Sequence, residues 1–528
     1  MKSPILATVL LTAFFLPAAA RAQQRHHSAA TPPSATAPAT EPASANPAPP
    51  EAAISTTEGQ VALANGSVLK YRARAGHLTL RNDADKPIAD MFFVSYEKLP
   101  AAESPADRPI MFVFNGGPGA AAVWLQMGAA GPRRIDLDAH GDPPSPPYAI
   151  VENPSTWLAS TDLVFIDPVG TGFSRAAPGI DPKQFWGVDS DVKSVGDFIR
   201  LYTTHFDRWL SPKFVAGESY GTTRAAALSD QLLSDEGISL NGVILISSVL
   251  DFNTIEPAHN NDLPYALYVP SYAATAWYHK KLAPDLQADL QKTLASAADW
   301  AIHDYLPALA AGNSLSHADK SAIAQTLSRY TSLSADYIMK ANLRISPGEF
   351  RKMLLADSQQ LIGRFDTRIT GFDPDPLSRS AEYDPSLDPY FAAYSGTFND
   401  YVRRVLKVND EHPYEVLSSR VGPWDFDDHG SGYLDVSDRL RDAMLSNTHM
   451  KVMFANGYFD LATPYLAADY TIDHMNLSPQ LRHNITHEFF YSGHMVYQPK
   501  AGVEKLSKDV QHFIESALPG KAIPSTQP

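Results

Sequence analysis

Residues 214–223 read Phe-Val-Ala-Gly-Glu-Ser-Tyr-Gly-Thr-Thr. A short apolar run, a Gly-x-Ser-x-Gly motif and the start of a helical stretch follow one another with no spacer. That order is what a nucleophile elbow needs: a strand, a crowded turn in which glycines flank the serine, and a helix whose first N–H groups favour negative charge. Ser219 is therefore a candidate nucleophile and not simply a serine in a loop. The unusual feature is Glu218, a carboxylate directly beside it.

Working outward, the surrounding pattern is that of a sheet covered by helices. Short, nearly continuous apolar runs recur at Ile110–Phe114, Leu163–Ile166, Phe214–Ala216, Val243–Ile246 and Val452–Ala455. Strands buried on both faces of a parallel sheet have this composition. Helical stretches at Asp191–Leu210 and Thr222–Leu233 lie between them, and such alternation implies an α/β fold. Upstream, Val61–Leu63, Val68–Arg72, His77–Leu80 and Ala89–Tyr96 alternate in polarity around Asn65-Gly66 and Asn82-Asp83, as antiparallel strands do. Residues 251–445 break the rhythm with amphipathic stretches such as Pro284–Trp300 and His317–Tyr330, and they read as a helical cap inserted into the sheet domain. The core is thus expected over 56–250 and 446–518.

The chain has 528 residues, a net charge of −15 and no cysteine. The acidic balance argues against nucleic acid or an anionic membrane as a partner. Lys2, the apolar run Ile5–Leu16 and Ala20-Arg21-Ala22 have the form of a secretory signal peptide over 1–22. The run is too short to span a membrane, so no membrane insertion is expected after cleavage. Without cysteine, neither a disulfide-stapled scaffold nor an N-terminal lipoprotein is expected. Residues 23–55 are rich in Ala, Pro, Ser and Thr and read as a disordered linker, with 519–528 as a flexible tail.

A serine needs a base oriented by an acid. In α/β hydrolases the order along the chain is Ser, then Asp or Glu, then His. Asp460 follows the strand Val452–Ala455, and His494 follows the apolar stretch Glu488–Tyr491. Both fall in loops at strand ends, where sites are built in such sheets. His483 and His487 are spaced i, i+4 but lead into a strand, which does not suit paired metal ligands. The loop Asn115-Gly-Gly-Pro-Gly119 follows Ile110–Phe114 and lets backbone approach a ligand closely. No Gly-Lys-Ser/Thr or GxGxxG accompanies it, so a phosphate cradle is poorly supported.

Five blocks then stand in order: Asn115-Gly-Gly-Pro-Gly, Asp167-Pro-Val-Gly-Thr-Gly-Phe-Ser, Gly217-Glu-Ser-Tyr-Gly, Asn456-Gly-Tyr-Phe-Asp and Gly493-His-Met-Val. Together they resemble the motif set of the serine carboxypeptidases, over about 110–500. The resemblance implies an α/β-hydrolase fold with Ser219, Asp460 and His494 as the catalytic triad. It also implies oxyanion N–H groups from Gly117 and Tyr220, and Asn115 with a protonated Glu218 holding the substrate's C-terminal carboxylate. Met495 resembles a residue that packs against the leaving amino acid, although an apolar Met there equally suits plain core. Peptides with a free C-terminus become the expected substrates, at acidic pH, with no metal or organic cofactor. The chain departs from many relatives in reading Ala120-Ala-Ala after the glycines, and in having Ala129 where eukaryotic relatives often carry a second Glu. An esterase or acyltransferase using the same triad is the alternative within this fold. A non-catalytic binding module on a Pro-rich stalk is the alternative outside it.

Overall fold

Nine strands in one path make up most of a ten-stranded sheet: β1 Ser55–Ala62, β2 Val68–Arg81, β3 Pro87–Leu99, β4 Ile110–Phe114, β5 Asp162–Ile166, β6 Lys213–Glu218, β7 Gly242–Ile246, β8 Lys451–Gly457 and β9 Ile485–Phe490. Their order across the sheet is β1-β2-β3-β5-β4-β6-β7-β8-β9. The first three strands are antiparallel, and β3 meets β5 antiparallel. From β5 to β9 every pairing is parallel. This is the mostly parallel α/β sheet expected from the short apolar runs. The computed structural model describes residues 54–426 and 432–518. The expected signal peptide, nearly all of the expected linker and the expected tail lie outside the described residues, and β1 begins at Ser55, the last residue of that expected linker.

The period-2 geometry of the strands divides the core in two. Met111, Val113, Phe214, Ala216, Ile244, Ile246, Met453 and Ala455 face one side, packed with Val510, Phe513 and Ile514. Ile110, Phe112, Phe114, Val215, Val243, Leu245, Val452 and Phe454 face the other, against Val195, Phe198 and Leu228. Side chains of this size, removed from water, contribute about 1.5–3 kcal/mol each. Helices α1 Val188–His205 and α2 Tyr220–Ser234 cover the second face. Helix α4 Lys500–Ala517 covers the first, and α3 Asp388–Arg404 also adds to that layer.

Several elements differ from the sequence expectation. Val68–Arg72 and His77–Leu80 belong to one strand, because pairing with β3 runs unbroken through Ala73–Gly76. The stretch Asp191–Leu210 forms a helix that starts at Val188 and stops at His205, and Asp207 takes φ 54° just beyond it. Pro284–Trp300 splits into Pro284–Gln287 and Leu290–Trp300, since the Asp289 side chain accepts from the Lys292 amide and begins a new helix. Between β7 and β8 the chain forms many helices with their own core, in which Tyr272 stacks on Phe350 at 4.2 Å. Tyr268 and Tyr272 are buried in that core, their hydroxyls donating to the carbonyls of Ile255 and Ile345.

Candidate active site

Parallel strands align their carboxyl ends, so the loops after β4, β6, β8 and β9 emerge at one edge of the sheet. Each carries sequence-predicted residues. Ser219 immediately follows β6 and caps α2 with φ 58° and ψ −130°. A non-glycine residue in such a region costs about 1–3 kcal/mol and persists only where its surroundings enforce it. Here the Ser219 amide donates to Ile246 O on β7 at 3.0 Å. The turn is too tight for a side chain at Gly217, where a Cβ would lie 2.0 Å from the carbonyl oxygen of Gly221. The Asn115–Gly119 loop presses equally closely, since a Cβ on Gly116 would lie 2.5 Å from the Tyr220 amide nitrogen.

Asp460 is fully buried, three residues beyond β8, and its Oδ2 lies 2.7 Å from Nδ1 of His494. Asp460 Oδ1 accepts from the amides of Ala462 and Thr463, which fixes the carboxylate in the turn. Burial pulls the His494 pKa down. The charge and hydrogen bond of Asp460, with the nearby Glu218, outweigh this and hold it above the ordinary imidazole value. Nε2 of His494 is buried and has no hydrogen-bond partner among the described residues. Ser219, in contrast, keeps partial exposure.

Glu218 and Asn115 are brought into direct contact, Asn115 Nδ2 donating to Glu218 Oε2. Asn115 Oδ1 accepts from the Leu125 amide at 3.1 Å, which sets the orientation of its amide group. Burial pushes the Glu218 carboxyl up to about 7; His494, Tyr497 and Asn115 oppose that shift and Asp460 adds to it. Glu218 Oε1 is buried without a partner among the described residues. Neither the Gly117 nor the Tyr220 amide donates a hydrogen bond among the described residues. Met495 is buried in the same core cluster as Val496 and Tyr497, and its sulfur accepts from Gln498 Nε2.

The sequence reading missed four contributors. Tyr497 donates to Glu218 Oε2 at 2.9 Å. Thr463 Oγ1 lies 2.7 Å from Asp460 Oδ2 and 3.2 Å from His494 Nδ1. Arg224, on the second turn of α2, is ion-paired to Asp191 at 2.7 Å. Phe365, from the insertion, sets its ring edge-on to His494 at 4.9 Å, and its carbonyl accepts from the His494 amide. Thr463 and Tyr497 each stand three residues after a motif residue, a spacing that could have drawn attention to them. Nothing in the local sequence marks Phe365.

The insertion also touches the loop at Gly119–Ala121 and the residue after Ser219. Val416 O accepts from the Ala121 amide, Gly119 O accepts from the Ser418 amide, and Trp424 packs edge-on against Tyr220 at 5.3 Å.

Residues 65–504 match the family model described as serine carboxypeptidase. Over 214 residues the chain is 28% identical to pheromone-processing carboxypeptidase KEX1 of Saccharomyces cerevisiae, covering 37% of this chain and 27% of the yeast protein. Over 195 residues it is 26% identical to serine carboxypeptidase-like 34 of Arabidopsis thaliana, covering 35% of this chain and 36% of the plant protein. The matched segments therefore span well under half the length of these relatives.

Proposed function

The chain belongs to the serine carboxypeptidase family, and on that premise we propose that it removes the C-terminal residue of peptides through an acyl-enzyme on Ser219. Ser219 Oγ attacks the last peptide carbonyl while His494 Nε2 takes its proton and then delivers it to the leaving amine. Asp460 holds Nδ1–H and balances the imidazolium. The amides of Gly117 and Tyr220 receive the oxyanion; one such donor is typically worth about 3–4 kcal/mol in the transition state. Water then enters along the same path and releases the shortened peptide.

The observation that carries this reading is the buried contact of Glu218 with Asn115 beside Ser219. A carboxyl with its pKa raised to about 7 keeps its proton in mildly acidic solution. It can then donate to a substrate carboxylate, where a second bare charge would repel it. An esterase has no need of such a group. Binding of a free C-terminus is accordingly favoured at acidic pH, and the signal-peptide form of residues 1–22 supports a secreted or periplasmic location.

The test compares release of the terminal residue from a blocked dipeptide and from its C-terminal amide near pH 5. Strong preference for the free acid is expected. Equal rates, or turnover of esters alone, would move the function to a general esterase or acyltransferase.

A further inference from the structure

The hydrogen bonds around Glu218 decide more than its protonation state. Oε2 receives two donors, Asn115 Nδ2 and the Tyr497 hydroxyl at 2.9 Å, whereas Oε1 is buried and receives none among the described residues. A protonated carboxyl has one hydroxyl and one carbonyl oxygen, and the oxygen that accepts two donors is the carbonyl. The proton therefore belongs on Oε1, where it has nothing to donate to among the described residues.

We propose that Tyr497 is a positioning residue for substrate recognition: its hydroxyl keeps the Glu218 proton on Oε1, the oxygen left free to meet the substrate's terminal carboxylate. This rests on the carboxypeptidase reading above. An unsatisfied buried donor is costly until a ligand arrives, and an ionised ligand gains most from it. The site thus discriminates a carboxylate from an amide by which oxygen carries the proton, as well as by whether a proton is present.

Tyr497 is built firmly into this place. Its side chain is fully buried, beside Tyr394 of α3, and the two rings close over Gly128. A Cβ on Gly128 would lie 2.5 Å from Tyr497 Cε2 and 2.5 Å from Tyr394 Oη. Burial and the neighbouring Glu218 push the Tyr497 phenol well above its ordinary pKa, so it remains a donor at any working pH. The titratable and charged groups that face Glu218 are His494 after β9, Asp460 after β8, Tyr497 and Tyr394, with Arg134 beyond Tyr394.

Tyr497→Phe keeps the ring and removes only the donor. At pH 5 the KM for a blocked dipeptide should rise roughly five- to tenfold, about the worth of one buried hydrogen bond, with kcat within twofold. Turnover of the C-terminal amide should not change. The pH above which KM climbs should move upward, because a donor that favoured the ionised carboxyl has been lost. In a Glu218→Gln background, Tyr497→Phe should produce no movement of the pH limb. Titration of the infrared carbonyl band of protonated Glu218, in wild type and Tyr497→Phe, reads the same shift without turnover. A wild type that prefers the free acid, with a Tyr497→Phe variant of unchanged KM and pH limb, would overturn this assignment alone. A wild type that treats acid and amide alike would overturn the carboxypeptidase reading and this inference with it.

Discussion

The carbonyl oxygen of Asn115 accepts a 2.6 Å hydrogen bond from Nη1 of Arg224, on the helix that follows the candidate nucleophile. The same guanidinium donates through Nε to Asp191 of α1 at 2.7 Å, and it lies 5.3 and 5.4 Å from the ring centres of Phe114 and Tyr220. Arg224 and Asp191 are almost wholly buried, at 1% and 2% exposure. One planar cation thus ties the glycine loop to the helix that begins at Tyr220.

Removing this cation should damage stability and catalysis together. Arg224→Met leaves Asp191 buried and unpaired, a change expected to cost about 3–5 kcal/mol, read by urea unfolding. Arg224→Lys retains the charge but cannot span both partners with a planar fork. It should unfold closer to wild type while kcat/KM still falls about tenfold. A Lys variant with wild-type kcat/KM would show that the loop needs no such tether.

Thr463 should act on the chemical step. Its hydroxyl touches Asp460 and His494 and also donates to Ser247 O at 3.0 Å, so it fixes the imidazole from a third direction. Thr463→Val preserves shape and removes those contacts. We expect kcat to drop roughly tenfold, the equivalent of about 1.4 kcal/mol, with KM within twofold. Thr463→Ser should recover most of the loss. A rise in KM at constant kcat would contradict an orienting role.

Asp167 makes stability depend on pH in a direction that can be worked out. It is buried after β5, with Oδ1 accepting from the Ala122 amide and the Tyr414 hydroxyl. Burial raises its pKa from the ordinary 3.8 to about 7, against those hydrogen bonds. The folded state therefore binds the proton more tightly than the unfolded chain, and stability falls as pH climbs from about 4 to about 7. Glu218 adds to the same slope. Asp167→Asn should lose less melting temperature than wild type between pH 5 and pH 8. Parallel melting curves for the two proteins would rule out Asp167 as a source of the slope.

Much of this molecule is legible along the chain, because some of its physics is local. Apolar runs of four or five residues mark strands that must be buried on both faces, and β4, β5 and β7 are buried at every position. A glycine-flanked serine between such a run and a helix places a strained turn, and Ser219 lies in one. Small residues obscured the centre of β2, where Ala73, Ala75 and Gly76 lack the bulk that signals a strand, yet pairing with β3 carries the backbone straight through.

By itself the sequence determined the α/β class, the order of the motif blocks, and the residues that a nucleophile, base and acid would require. Tertiary structure alone decided who meets whom across the chain. Tyr497 reaches Glu218 over 279 residues, and Arg224 reaches Asn115 over 109. It also decided that Tyr268 and Tyr272 fill the core of the insertion. Periodicity and turn chemistry act between near neighbours. A buried hydrogen bond between distant residues depends on the packing of every element that lies between them, and no short stretch of sequence records it.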